Sequence, residues 1–98
     1  MLYTLMIVSF RDAATETIWA GRRSRRLPPD IQPTALRKLR LIKNARRVDD
    51  LRMPPGNRLE ALRDDRNGQH SIRINDQWRI CFVWKDNNAH QVEIVDYH

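Results

Sequence analysis

A chain of 98 residues, 41% hydrophobic and 31% charged, suffices for one domain with a modest core and is too apolar to stay disordered. Its single cysteine, Cys81, forms no internal disulfide and gives no mark of an oxidising compartment, while the short opening "MLYTLMIVSF" is neither a membrane span nor a signal peptide, so a cytoplasmic protein is expected. The net charge of +6 rests on 15 arginines among 18 basic residues, with 12 basic and 5 acidic residues up to Gly56 but 6 and 7 beyond it, a balance that points to a polyanionic partner such as nucleic acid.

In chain order, "MIVSF" reads as a first strand, with Met6 as an alternative start and residues 1–5 as an extension. Asp12 is a good cap for a helix running to Ala20, which Gly21 is placed to end. The loop "GRRSRRLPP" then brings Arg22, Arg23, Arg25 and Arg26 together, either to grip nucleic-acid phosphates or as a solvated connector or partner contact. Asp30 is expected to cap a second helix, with Pro33 tolerated in its first turn. Ala35, Leu39 and Ile42 form its apolar stripe, with Leu36 beside it, and Arg37, Lys38, Arg40 and Lys43 are assigned to the solvated face.

"MPPGN" stops the helical region, and the period changes to two. "NRLEAL", "QHSIRI", "WRICFVW" and "HQVEIVDY" read as strands, separated by the turns "DDRNG", "NDQ" and "KDNN". The expected fold class is α+β, a single small domain of order βααββββ over residues 1–98, with an antiparallel sheet covered by helices on one face.

Strand parity sharpens this. Trp78, Ile80, Phe82 and Trp84 share one face, and Arg79, Cys81 and Val83 the other. If His70, Ile72 and Ile74 face the same core, Ile72 must pair with Ile80, which sets Arg73 directly across from Arg79. Like charges directly opposed on a sheet are unfavourable, an anion between the two forks would remove the conflict, and a last strand turning Val92 and Ile94 inward brings Tyr97 within diagonal reach of Arg79, so the face is either a phosphate-binding surface or two solvated arginines under a tyrosine lid. Cys81 is expected to be a buried small hydrophobe, and His70 and His90 to be structural.

The chain ends in Asp96, Tyr97 and His98. Transesterification of RNA needs a group to deprotonate a 2′-OH, cations to stabilise the phosphorane and an acid for the leaving 5′-oxygen. Histidine titrates near about pH 6.5, whereas tyrosine, ordinarily near about 10, gives a proton more readily than it takes one. No His/Cys spacing suggests a metal site, and no glycine-rich phosphate loop is present, so neither metal nor cofactor is expected.

The segments "GNRLEALRDDRNGQHSI", "NDQWRICF" and "VDYH" together resemble the HigB branch of the RelE-like toxins of bacterial type II toxin–antitoxin systems, over residues 6–98. The family pattern is roughly L-H-P-L-K-G-D-R, then N-W-R-I-x-F, then a closing D-Y-H. The resemblance implies a RelE/ParE-like fold and a metal-independent endoribonuclease that cuts mRNA on the ribosome, and the departure from the family pattern at Glu60 predicts a slow one. It also implies a HigA-like helix-turn-helix antitoxin as partner, through which the complex meets operator DNA, and no membrane. By position, Arg79 matches the phosphate-stabilising arginine, and Asp96, Tyr97 and His98 match the terminal catalytic residues. Arg63 replaces a lysine, with Arg66 and Arg73 as further phosphate ligands. Glu60 stands where several members have a catalytic histidine, exchanging a near-neutral base for a carboxylate. Two other readings stay open: a non-catalytic basic module that blocks RNA or the ribosome, and a gyrase-poisoning toxin on the same fold.

Overall fold

A computed structural model describes residues 7–97; the expected extension at residues 1–5, Met6 and His98 lie outside the described residues. Asp12 does cap α1 (Ala13–Trp19), its Oδ1 accepting from the Thr15 N–H at 3.0 Å, and Gly21, at φ +81°, turns the chain away where a side chain would be strained. The arginine-rich loop that follows is pinned by Gln32. Its side-chain oxygen accepts from Ser24 N–H at 3.1 Å, and its amide donates to the carbonyls of Ser24 and Leu27 at 2.8 and 2.9 Å.

Two expectations for α2 (Gln32–Asn44) are corrected. Asp30 does not cap it: the helix is preceded by a 3-10 turn, Pro29–Ile31, which contains Asp30, and Ile31 stands at the cap position without a side-chain bond. Two consecutive prolines favour that tight turn and leave Asp30 one residue before the cap position. Ala35, Leu39 and Ile42 are fully buried as the stripe requires, but Lys38 is buried too, its ammonium donating to Asn57 Oδ1. Helical periodicity could not show this, because the partner lies 19 residues away.

Two 3-10 turns, Val48–Arg52 and Pro55–Asn57, flank the cis Met53–Pro54 peptide and lead into the sheet. Its strands β1 (Glu60–Ala61), β2 (Gln69–Arg73), β3 (Trp78–Lys85) and β4 (Asn88–Asp96) lie side by side in chain order, each antiparallel to its neighbours. β1 is shorter than "NRLEAL" because Arg58 and Asp64 take left-handed conformations, φ 46° and 56°, on either side of it. Asp86 and Asn87, both left-handed, make the two-residue turn between β3 and β4. Among the described residues, the expected first strand meets β4 through two parallel bridges, Ile7 with Ala89 and Phe10 with Val92.

The protein is thus an α+β fold, two helices on one face of a four-stranded antiparallel sheet. Ile18, Leu39, Ile42, Ile72, Ile80, Phe82 and Val92 fill the layer between them, each contributing about 1.5–3 kcal/mol by leaving water. Thr15 fastens α1 to the sheet by accepting from the Ile94 N–H at 2.9 Å. Among the described residues no helix is long and apolar enough to cross a membrane.

Candidate active site

The register is the one that parity required: Ile72 pairs with Ile80, and Arg73 stands opposite Arg79. The like-charge conflict is relieved by divergence of the two forks. Arg73 turns to the carboxylate of Asp76. Arg79, only 9% exposed, donates from Nε to Ser71 Oγ at 2.8 Å and from Nη2 to the carbonyls of Arg58 and Ser71 at 2.6 and 3.4 Å. Such charge-assisted bonds are among the stronger ones, and they hold the guanidinium on the face away from the helices.

Tyr97 arrives on that face as expected. Its N–H donates to the Gln77 carbonyl at 2.7 Å, extending the strand pairing by one residue, and its ring centroid lies 5.6 Å from Arg79 Cζ. Its hydroxyl donates to Glu60 Oε1 at 3.3 Å. Glu60 is placed by its pairing with Ser71, the residue that also orients Arg79. Beside them lies an open pocket of about 370 Å³ lined by Glu60, Ala61, Leu62, Arg63, Asp64 and Tyr97. Phenol and carboxylate, from the end of β4 and β1, therefore line one opening together with the Arg63 cation, and Arg79 of β3 stands against the ring of the same Tyr97.

Other candidates lie elsewhere. Asp96 sits opposite Trp78 and accepts from Gln77 Nε2 at 3.1 Å. Arg66 is bound to Glu93 at 2.7 Å and to Gln69 Oε1 at 3.1 Å, and Glu93 also meets Arg11 at 3.3 Å. Arg22 and Arg23 rim a separate groove of about 310 Å³ between α1 and α2, floored by Ile18, Pro29, Pro33 and Leu36, and Arg25 and Arg26 continue the same loop. His98 lies outside the described residues.

Cys81 is fully buried beside these groups, and burial pushes its thiol pKa up, so it stays a protonated, inert packing residue. His70 stacks on Phe82 with ring centroids 6.2 Å apart, and burial pushes its pKa below the ordinary 6.5, which favours the neutral ring. His90 Nε2 lies 3.2 Å from the Lys85 carbonyl. Among the described residues no group of three or more His, Cys, Asp or Glu side chains could hold a metal ion. The partners that orient Arg79 were not read from sequence. Ser71 was visible as a small polar residue on the arginine face, but the Arg58 carbonyl gave no signal.

Chemically, the opening offers two groups able to exchange a proton within hydrogen-bond reach of each other, with the Arg63 cation on its wall and the held Arg79 guanidinium against the Tyr97 ring.

Comparison with known proteins gives a consistent picture. A family model described as a RelE-like toxin of the type II toxin–antitoxin system HigB matches residues 8–98. Toxin HigB-1 of Vibrio cholerae is 39% identical over 85 residues, which span 86% of this chain and 90% of that protein. An uncharacterized protein of Haemophilus influenzae is 33% identical over 67 residues, 68% of this chain and 66% of that one. Among solved structures, a chain of the YoeB–YefM complex from Staphylococcus aureus superposes with a TM-score of 0.59 over 94% of this chain and 97% of its own, at 17% identity, a likeness of fold alone.

Proposed function

Since the chain belongs to the HigB-like family of RelE-type toxins of type II toxin–antitoxin systems, we propose that it is a metal-independent endoribonuclease that cuts mRNA on the ribosome. The observation that supports this best is that Tyr97 joins Arg79, against its ring, to Glu60, at its hydroxyl, with Tyr97 and Glu60 both lining one solvent-facing pocket. The reaction is attack of a ribose 2′-oxygen on the adjacent phosphorus. The 2′-O–P bond forms, the P–O5′ bond breaks, and the products are a 2′,3′-cyclic phosphate and a 5′-hydroxyl.

Each residue has a role its position suits. Arg79 spends Nε and Nη2 on protein acceptors, and among the described residues Nη1 has none. That edge is the one to stabilise charge on a phosphoryl oxygen, where a preorganised donor needs no reorientation. Glu60 Oε1 is the proton acceptor for the 2′-OH, and Tyr97, which already donates to it, returns a proton to the leaving 5′-oxygen. Arg63 on the pocket wall holds a neighbouring phosphate. His98 and Asp96 serve as further proton-transfer or orienting groups at the closing end of the chain. A carboxylate as base puts negative charge beside a phosphate site, which makes the toxin slow.

The arginines of the loop between α1 and α2 hold ribosomal RNA through its phosphates, giving the salt-sensitive part of the affinity. The antitoxin partner is a HigA-like helix-turn-helix protein, and the complex represses its own operon in the cytoplasm. To test the function, the toxin is induced without antitoxin and mRNA 5′ ends are mapped on ribosomes. New ends within codons support it. Unchanged ends with continued translation overturn it, and DNA damage in their place selects gyrase poisoning.

A further inference from the structure

We propose that Lys38 and Asn57 are positioning residues for Arg79, acting round the edge of the sheet through the carbonyl of Arg58; this rests on the reading that Arg79 stabilises the reacting phosphate. Lys38 lies in the middle of α2, on the helix face that packs inward with Ala35, Leu39 and Ile42. The place is hostile to a cation. Burial pushes the ammonium's pKa down, and the neighbouring charges, Arg37 and Arg73, have the same sign and push it further. A methionine or leucine would extend the apolar stripe without that cost, so the lysine is explained by its partner and not by the stripe.

What the ammonium does is donate to Asn57 Oδ1. Asn57 is itself fully buried, and its Nδ2 donates to the carbonyls of Leu51 and Met53 at 3.2 and 3.3 Å. Acceptor and donors of one amide thus gather α2 and the turns before the sheet at a single point. The next residue, Arg58, is left-handed, φ 46° and ψ 54°, a conformation a non-glycine residue keeps only where its surroundings impose it. Its N–H donates to Pro55 at 3.1 Å, and its carbonyl is thereby aimed at Arg79 Nη2, 2.6 Å away.

The connected series Lys38, Asn57, Arg58, Arg79 therefore leads from the helix layer on one face of the sheet to the reactive opening on the other. Ser71 fixes Nε and Arg58 fixes Nη2, so the direction of the remaining guanidinium edge depends on where the Arg58 carbonyl stands. Lys38 and Asn57 touch no reacting atom.

The test compares the full-length toxin with Lys38→Met and Lys38→Arg by three readouts: the Arg79 Nε–H resonance, affinity for programmed ribosomes, and single-turnover mRNA cleavage. In Lys38→Met the Arg79 resonance should shift and broaden and cleavage should fall roughly 10- to 100-fold, with ribosome affinity within about threefold of the parent. Lys38→Arg restores a charged donor and should recover most of both signals. An unmoved Arg79 resonance in Lys38→Met overturns the inference, as does a displaced resonance with undiminished cleavage. Should Lys38→Met fail to fold, Asn57→Asp carries the same comparison. It keeps the acceptor for Lys38 but withdraws the Nδ2 donors, and the Arg79 resonance must again move together with cleavage. Arg79→Ala separates the two ideas: if it cleaves like the parent, the proposed function falls, whereas parental Lys38→Met behaviour with an inactive Arg79→Ala sinks only the coupling.

Discussion

The Arg79 guanidinium faces the Tyr97 ring at 5.6 Å while the hydroxyl of the same ring reaches Glu60, so one aromatic side chain joins a cation on β3 to a carboxylate on β1. A cation over an aromatic face contributes about 0.5–2 kcal/mol. The contact draws the last residues of the described chain onto the sheet and covers one side of the guanidinium. The ring and the hydroxyl of Tyr97 thus have separable consequences.

Tyr97→Phe separates them. The ring stays over Arg79 and the proton donor is lost, so single-turnover cleavage should fall about 100-fold with ribosome affinity unchanged. Tyr97→Ala should fall further, because Arg79 then loses its aromatic face. Equal rates for the Phe variant and the parent would remove the hydroxyl from the mechanism.

Arg79→Lys is not a conservative change. An ammonium cannot reach Ser71 Oγ and the Arg58 carbonyl together while presenting a further donor to phosphate. Cleavage should drop about 100- to 1000-fold, the usual loss for one preorganised donor. Buried Ser71 would lose its side-chain partner, and stability in a urea titration should fall by about 1–3 kcal/mol. Retention of both rate and stability would mean that the fork geometry is immaterial.

Glu60→His tests the departure from the family pattern. An imidazole in this position can act as base without adding negative charge, so cleavage should rise about tenfold and acquire a dependence on a group titrating near about pH 6.5. Glu60→Gln should be slower than the parent. If neither variant changes the rate, Glu60 is not the base.

Much of this site was legible because β-strand parity is rigid. Once Ile72 and Ile80 had to share a core, the placement of Arg73, Arg79 and Tyr97 followed, and the register agrees. Side-chain direction was not legible in the same way. Arg73 and Arg79 stand opposite each other, yet one turns to Asp76 three residues on and the other to Arg58, and the Arg58 carbonyl depends on a left-handed residue that no pattern announces. Lys38 was misread for a related reason: helical periodicity assigns a lysine to water, and only the long-range approach of Asn57 brings it inside. Among the described residues, the leading strand meets β4 through two parallel bridges.

The loop arginines make a prediction about salt. Because Gln32 anchors the loop through Ser24 and Leu27, replacing Arg23, Arg25 and Arg26 by glutamine should leave the fold intact. If each holds one RNA phosphate, the slope of log affinity for ribosomes against log salt should shrink by about 0.7 per residue removed. An unchanged slope with weakened antitoxin binding would reassign the loop to the partner protein.

His70 sets a pH dependence of stability that is independent of the catalytic groups. Its ring stacks on Phe82, its Nδ1 is buried without a hydrogen-bond partner among the described residues, and burial lowers its pKa, a shift that Arg52 reinforces and Asp49 opposes. Below about pH 6.5 the unfolded chain takes up a proton that the folded one refuses, so stability should fall as the pH drops from there to the lowered folded value and then level off. His70→Phe keeps the stack, removes the unpartnered nitrogen and abolishes this titration. It should be more stable than the parent by about 1 kcal/mol at neutral pH, with a wider margin at pH about 5. Urea titrations at the two pH values measure both effects, and an acid-side slope that survives in His70→Phe would assign the dependence to other groups.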